Sequence, residues 1–229
     1  MDRRWWWRGL SLGLFALGVA LAVAGWVLER PPEREAFVRT LSPPPAPDSP
    51  IASAFGAGGA AGDTASLPSA SVYGLPGHWR DSSGAARTWP DFTGRPAVVT
   101  FIYTRCDDVC PTTVLVVDRA LTQAGAPTAR GIAVSFDPGR DDPAALAAFA
   151  RRLRLDAERW TLLTPQDGAA LEALTGLLGI SVLPMGDEFL HTDVAFALDA
   201  AGHVRRRLAH PSRDPAALAG QVAAALPSR

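Results

Sequence analysis

Residues 97–113, AVVTFIYTRCDDVCPTT, set the reading of the whole chain. They hold an apolar run from Ala97 to Tyr103, a loop carrying Cys106 and Cys110, then Pro111 and two threonines opening a helical pattern. So short a run, with Val, Phe, Ile and Tyr in it, predicts a strand buried on both faces rather than a helix. The two sulfurs therefore stand where a central strand meets the start of a helix. The amino end of a helix offers unpaired N–H groups and a positive dipole, and both draw a thiol toward its thiolate. Pro111 suits that place, because a first-turn N–H has no helical partner to lose. In helical geometry Cys106 and Cys110 are i and i+4, roughly 6 Å apart by rise along the axis. That spacing lies within the Cα separation of a disulfide, about 4.4 to 6.8 Å. It equally suits two thiolates gripping one soft metal ion. The pair is a redox couple, a metal clamp, or both.

A chain of 229 residues, 48% hydrophobic and with net charge −1, can hold one good core plus accessory segments, and it lacks the basic excess of a nucleic-acid binder. The amino terminus reads separately. MDRRWWWR precedes an uncharged run from Gly9 to Leu28, whose length in a helix matches a hydrocarbon core of about 30 Å. Arg3, Arg4 and Arg8 predict a cytoplasmic amino end and an exported remainder. Trp5, Trp6 and Trp7 on one side and Trp26 on the other resemble interfacial belts, so residues 1–28 are expected to be a single transmembrane anchor. The competing reading is a signal segment cleaved near Gly25, after Ala22-Val23-Ala24. Residues 29–71 are dominated by Pro, Ala, Gly and Ser and are expected to be a disordered tether. The folded domain is expected over residues 72–229, periplasmic or otherwise extracytoplasmic.

In an exported domain two cysteines would ordinarily be a structural staple. A staple closing so short a loop gains little chain entropy, which favours a functional pair.

Further along, Gly77–Arg80 and Arg87–Trp89 flank a turn and predict a small hairpin. Val114, Leu115, Val117 and Leu121 form a helical stripe ended by Gly125. Gly131–Phe136 predicts a second strand, and Asp142-Pro143 caps a helix with Leu146, Phe149 and Leu153 inward. Trp160–Leu163 predicts a third strand, followed by a helix from Thr164 with Pro165 as its first residue and Gly179 at its end. Val194–Leu198 and Val204–Leu208 predict an antiparallel pair, and Asp214-Pro215 a closing helix. The order implies an α/β fold, a mixed sheet with helices on its faces, and places the cysteines at the carboxyl edge of its strands.

TFIYTRCDDVCPTT, VSFDPGRDDP and LHTDVAFALDAAGH resemble, in order and spacing, the Sco/SenC family of copper chaperones, over roughly Val72 to Leu226. The resemblance implies a thioredoxin-like fold, copper ligands at Cys106, Cys110 and His191, and delivery of copper to the dinuclear CuA centre of cytochrome c oxidase subunit II. It departs at Asp107, where the family pattern CPDVC has proline, which sets an added carboxylate beside the sulfurs. The chemistry agrees: two thiolates favour Cu(I), and an imidazole helps hold Cu(II). A partly open three-ligand site can also release its ion to a partner. The alternative, a thiol-disulfide oxidoreductase reducing a partner's cysteines, needs both sulfurs and no histidine; its usual spacing is CxxC.

Other candidates read more plainly. His78 is expected to be a surface or core side chain rather than a ligand, His203 and His210 to be solvated, and Met185 to be a loop filler rather than an axial ligand. Asp107 and Asp108 complement the helix dipole, Asp137 and Asp141 shape a loop near the site, and Arg205–Arg207 form a solvated strand edge.

Overall fold

The structure is a computed structural model and describes residues 67–125, 128–185, 188–213 and 215–226. The predicted anchor and most of the predicted tether lie outside the described residues; among those described, no helix is long and apolar enough to cross a membrane.

Nine strands and four α-helices are described. The strands are β1 (Trp79–Asp81), β2 (Ala86–Arg87), β3 (Ala97–Ile102), β4 (Arg130–Ser135), β5 (Trp160–Pro165), β6 (Val182–Met185), β7 (Glu188–His191), β8 (Val194–Leu198) and β9 (Val204–Ala209). The helices are α1 (Val109–Gln123), α2 (Pro143–Arg152), α3 (Gly168–Leu178) and α4 (Pro215–Ala225). Seven strands form one sheet in the order β2-β1-β5-β4-β3-β8-β9. Strands β3, β4 and β5 run parallel, whereas β1, β8 and β9 pair antiparallel to their neighbours. The mixed sheet predicted from the sequence is present, with β3 inside it between β4 and β8. Every residue of β3 is buried, so both faces of that strand are covered, as its unbroken apolar pattern requires. Strand β8 is likewise buried throughout, which a period-two reading of Val194, Phe196 and Leu198 understates.

Helix α1 packs along α4, while α2 lies on β5 and β1. As the sequence predicts, Leu146, Phe149 and Leu153 are buried and the Asp142 carboxylate accepts from the Ala145 N–H at 2.8 Å. Helix α1 is tied across the sheet by the Trp160 indole, whose N–H donates to Asp118 at 2.9 Å. Gly131 is required where that indole lies: a Cβ there would sit 2.5 Å from the ring.

Two expectations are corrected. The third helix does not start at Thr164. Strand β5 continues through Pro165, which stands opposite Trp79, and the helix begins at Gly168 behind Asp167, whose side chain accepts from the Ala170 N–H. The strand wins because pairing with β1 satisfies its backbone, whereas Asp167 offers the better cap two residues later. Second, Met185 is not in a loop but ends β6; β6 and β7 form a separate two-stranded sheet, and His191 ends β7 just before β8.

Candidate metal centre

The chain leaves β3 at Ile102 and enters α1 at Val109, so Tyr103–Asp108 form the loop that carries the first sulfur. A turn closes it, with the Cys106 N–H donating to the Tyr103 carbonyl at 3.1 Å. Its outer side is held by Asp141, a fully buried carboxylate. Asp141 accepts from the Thr104 N–H and hydroxyl and from the Ser135 hydroxyl, the last two at 2.6 Å. Asp137 accepts from Arg140 at 2.6 Å. The DPGRD segment thus shapes the loop near the sulfurs, as its sequence predicts.

Both cysteines are free and buried, with 6% of Cys106 and 1% of Cys110 exposed. The Cys110 N–H, an orphan donor of the first helical turn, donates to Cys106 Sγ at 3.3 Å. The sulfur therefore serves where a capping oxygen would, while Asp108 at the N-cap position makes no side-chain cap. Asp107 turns outward, 91% exposed and 3.7 Å from Arg152, so its carboxylate does not enter the site.

The environment splits the two thiols. Hydrogen bonding from the Cys110 side chain, then from the N–H groups of Cys110 and Asp108, outweighs burial and lowers Cys106 to about 6. Burial, reinforced by the neighbouring Cys106 sulfur, pushes Cys110 well above the ordinary thiol range. At neutral pH the pair holds one proton, on Cys110, and one negative charge, on Cys106.

His191 comes from the far side of the site. Its Nε2 lies 3.7 Å from Cys110 Sγ, and its Nδ1 lies 3.2 Å from the Thr192 carbonyl oxygen. A carbonyl only accepts, so Nδ1 carries the ring proton and Nε2 presents a lone pair to the sulfur. Burial lowers the ring's pKa and keeps it neutral. Its walls are Phe136, with ring centroids 4.9 Å apart, and Tyr103, edge-on at 6.2 Å. Asp193, two residues on, accepts from Thr113 of α1 at 2.9 Å and from Ser212, which fixes the end of β7 to the helix bearing Cys110.

The donor spacing can be tested against an ion. With metal–sulfur near 2.3 Å and metal–nitrogen near 2.0 Å, bond angles between tetrahedral and trigonal put the two donors about 3.5 to 3.7 Å apart. The observed 3.7 Å fits with no change in that pair. A ring held by a backbone carbonyl at its other nitrogen is the usual support for a metal-ligating histidine. Among the described residues no three Cys, His, Asp or Glu side chains are already drawn into a closed cluster. The site is an open one, in which Cys110 is in contact with each of the other two donors.

The structure thus sets Cys110 beside Cys106 on one side and His191 on the other, and leaves the other histidines apart. His78 is exposed before β1, His203 lies 3.7 Å from Asp199 in the β8–β9 turn, and His210 follows β9 at φ 49°. Sequence reasoning missed Tyr103, Glu188 and Asp193, which arrange the site, and the β6–β7 hairpin. That hairpin left one legible signal: Gly186-Asp187 between two four-residue strands is a pair favoured in two-residue hairpin connections.

The human "Protein SCO2 homolog, mitochondrial" is 33% identical over 78 residues, a match spanning 32% of this chain and only 29% of that protein's length. The structure of Bradyrhizobium japonicum ScoI with copper bound is 26% identical, covers 65% of this chain and 96% of its own, and superposes with a TM-score of 0.54. BsSco, described as a member of the Sco family of cytochrome c oxidase assembly proteins with a disulfide switch, is 21% identical over 71% of this chain and 97% of its own, with a TM-score of 0.58. That likeness shows the thioredoxin-like fold. The sequence profile of the SCO1/SenC family matches residues 74–226, and the chain belongs to that family.

Proposed function

We propose that the folded domain binds one copper ion through Cys106, Cys110 and His191 and passes it to an exported cuproprotein, with the CuA centre of cytochrome c oxidase subunit II as the recipient. The observation that carries this reading is the His191 Nε2 lone pair 3.7 Å from Cys110 Sγ, with the opposite ring nitrogen bound to a carbonyl. Copper is cargo here. The anionic Cys106 is the ready donor, Cys110 must release its proton as the ion enters, and His191 adds a donor that favours Cu(II). Residues 1–28 tether the domain to the membrane with its carboxyl-terminal part outside the cytoplasm, and residues 29–71 give it reach. The test is copper stoichiometry and affinity of the full chain with Cys106→Ser, Cys110→Ser and His191→Ala. Each change weakens binding; undiminished tight binding in all three refutes the reading.

A second activity is supported by the split thiols. The Cys106 thiolate can attack a partner's disulfide, forming a mixed disulfide and releasing one partner thiolate. Cys110 then displaces the second partner sulfur, so that two electrons leave this chain as its own disulfide forms and the partner is reduced. His191→Ala separates the two activities, because it lowers copper retention and leaves thiol exchange intact.

A further inference from the structure

The β6–β7 hairpin is not hydrogen-bonded into the main sheet, although it carries the histidine of the site. Its position relative to the cysteines therefore depends on side chains. The Tyr103 hydroxyl donates to the Glu188 carboxylate, joining positions 85 residues apart. Tyr103 is buried, three residues before Cys106; Glu188 stands three residues before His191. This hydrogen bond ties the segment bearing one sulfur directly to the strand bearing the imidazole. Beside it the Phe189 ring meets Tyr103 and Phe136 edge-on at 5.3 and 5.1 Å, and the Arg140 guanidinium lies 5.5 Å from its centroid. The ring contacts resist separation but tolerate sliding, because dispersion has no fixed direction. The Tyr103–Glu188 bond is directional, and Glu188 pairs with Met185 beside the turn while His191 pairs with Val182 at the open end. One grip near the turn and a ring pack in the middle set where the far end points.

We propose that the Tyr103–Glu188 hydrogen bond is a latch that holds His191 within reach of the two sulfurs, so that it decides whether copper meets two donors or three. Tyr103 and Glu188 are positioning residues, and the proposal rests on the copper reading above. With the latch closed the site offers two sulfurs and a nitrogen, a set able to keep Cu(II); with it open the two sulfurs alone still suit Cu(I). The oxidation state retained then follows the latch.

The test uses the full 229-residue chain with Tyr103→Phe, which keeps the ring and removes the hydroxyl, and with Glu188→Ala and Glu188→Gln. In the metal-free chain, nuclear Overhauser contact between the His191 ring and Cys110, assigned by its loss in His191→Ala, weakens in Tyr103→Phe and Glu188→Ala and persists in Glu188→Gln. Cu(II) affinity falls about 10- to 100-fold in the first two, the range for supports of a metal ligand, and the sulfur-to-copper charge-transfer band changes with it. Cu(I) affinity stays within about threefold, because the sulfurs are untouched. The double variant is no weaker than either single one. An unchanged ring contact and an unchanged Cu(II) band in both disruptive variants overturn the latch, as does an equal loss of Cu(I) and Cu(II). Should the unaltered chain bind no copper, the copper reading fails by itself and the His191–Cys110 contact alone decides the latch.

Discussion

Removing the Cys110 thiol tests the electrostatics of the site most directly. Its hydrogen bond is the largest of the influences that lower Cys106 to about 6, so Cys110→Ala raises the Cys106 pKa toward the ordinary range. The consequence for reactivity changes sign with pH. At pH 6 about half of Cys106 is thiolate in the intact chain, against about 0.3% of an ordinary thiol with pKa near 8.5, an advantage of about 160-fold. A less basic thiolate is also a poorer nucleophile, by about 13-fold for this difference at a Brønsted slope near 0.45. The net advantage at pH 6 is about 12-fold. At pH 9 both thiols are largely ionised, and the intact Cys106 is about tenfold slower than an ordinary thiol. Complete reversion in Cys110→Ala therefore slows iodoacetamide labelling of Cys106 about tenfold at pH 6 and speeds it about tenfold at pH 9; partial reversion keeps the crossover with smaller factors. Cys106 is only 6% exposed, so absolute rates are low, but limited access cancels when rates at two pH values are compared. Peptide mass analysis assigns the label. A labelling midpoint in the ordinary thiol range for the intact chain, or one that Cys110→Ala leaves in place, refutes the reasoning.

The same pair shapes stability. From about pH 6 up to the ordinary thiol range the unfolded chain holds a proton that native Cys106 has lost, so stability rises with pH; above that range native Cys110 keeps a proton that the unfolded chain releases, and stability falls. Urea unfolding across this interval shows the maximum, and a flat profile counts against the split. Asp141→Ala strips the acceptor from Thr104 and Ser135 and costs about 3 kcal/mol by urea denaturation, at about 1 kcal/mol or more for each donor left buried. It also moves the Cys106 midpoint upward as the loop loosens. Gly131→Ala forces a Cβ to within 2.5 Å of the Trp160 ring. A cost of about 2 kcal/mol lowers Tm by about 4 to 8 °C, and an unchanged Tm means that the ring can move aside.

Much of this molecule was legible before its coordinates. The apolar run 97–102, the Asp142-Pro143 start and the Val194–Leu198 strand each carry a local pattern that tertiary packing did not override. The start of α3 was misread because Pro165 looks like a first helical residue until β1 arrives to pair with it. The His-bearing hairpin was missed because two four-residue strands are too short for periodicity to register, and only the Gly-Asp pair marked them.

For the site the division follows sequence distance. Cys106 and Cys110 are four residues apart, so local geometry at a strand-to-helix junction sufficed to place both sulfurs together and to predict a reactive thiolate. Which sulfur would hold the charge was beyond local rules, because it depends on burial and on the direction of one N–H and one S–H. His191 is 81 residues from Cys110, and no periodicity links them. Its ring reaches the sulfur because β7, Tyr103, Glu188 and Asp193 converge from separate parts of the chain, and only the folded arrangement sums those contacts.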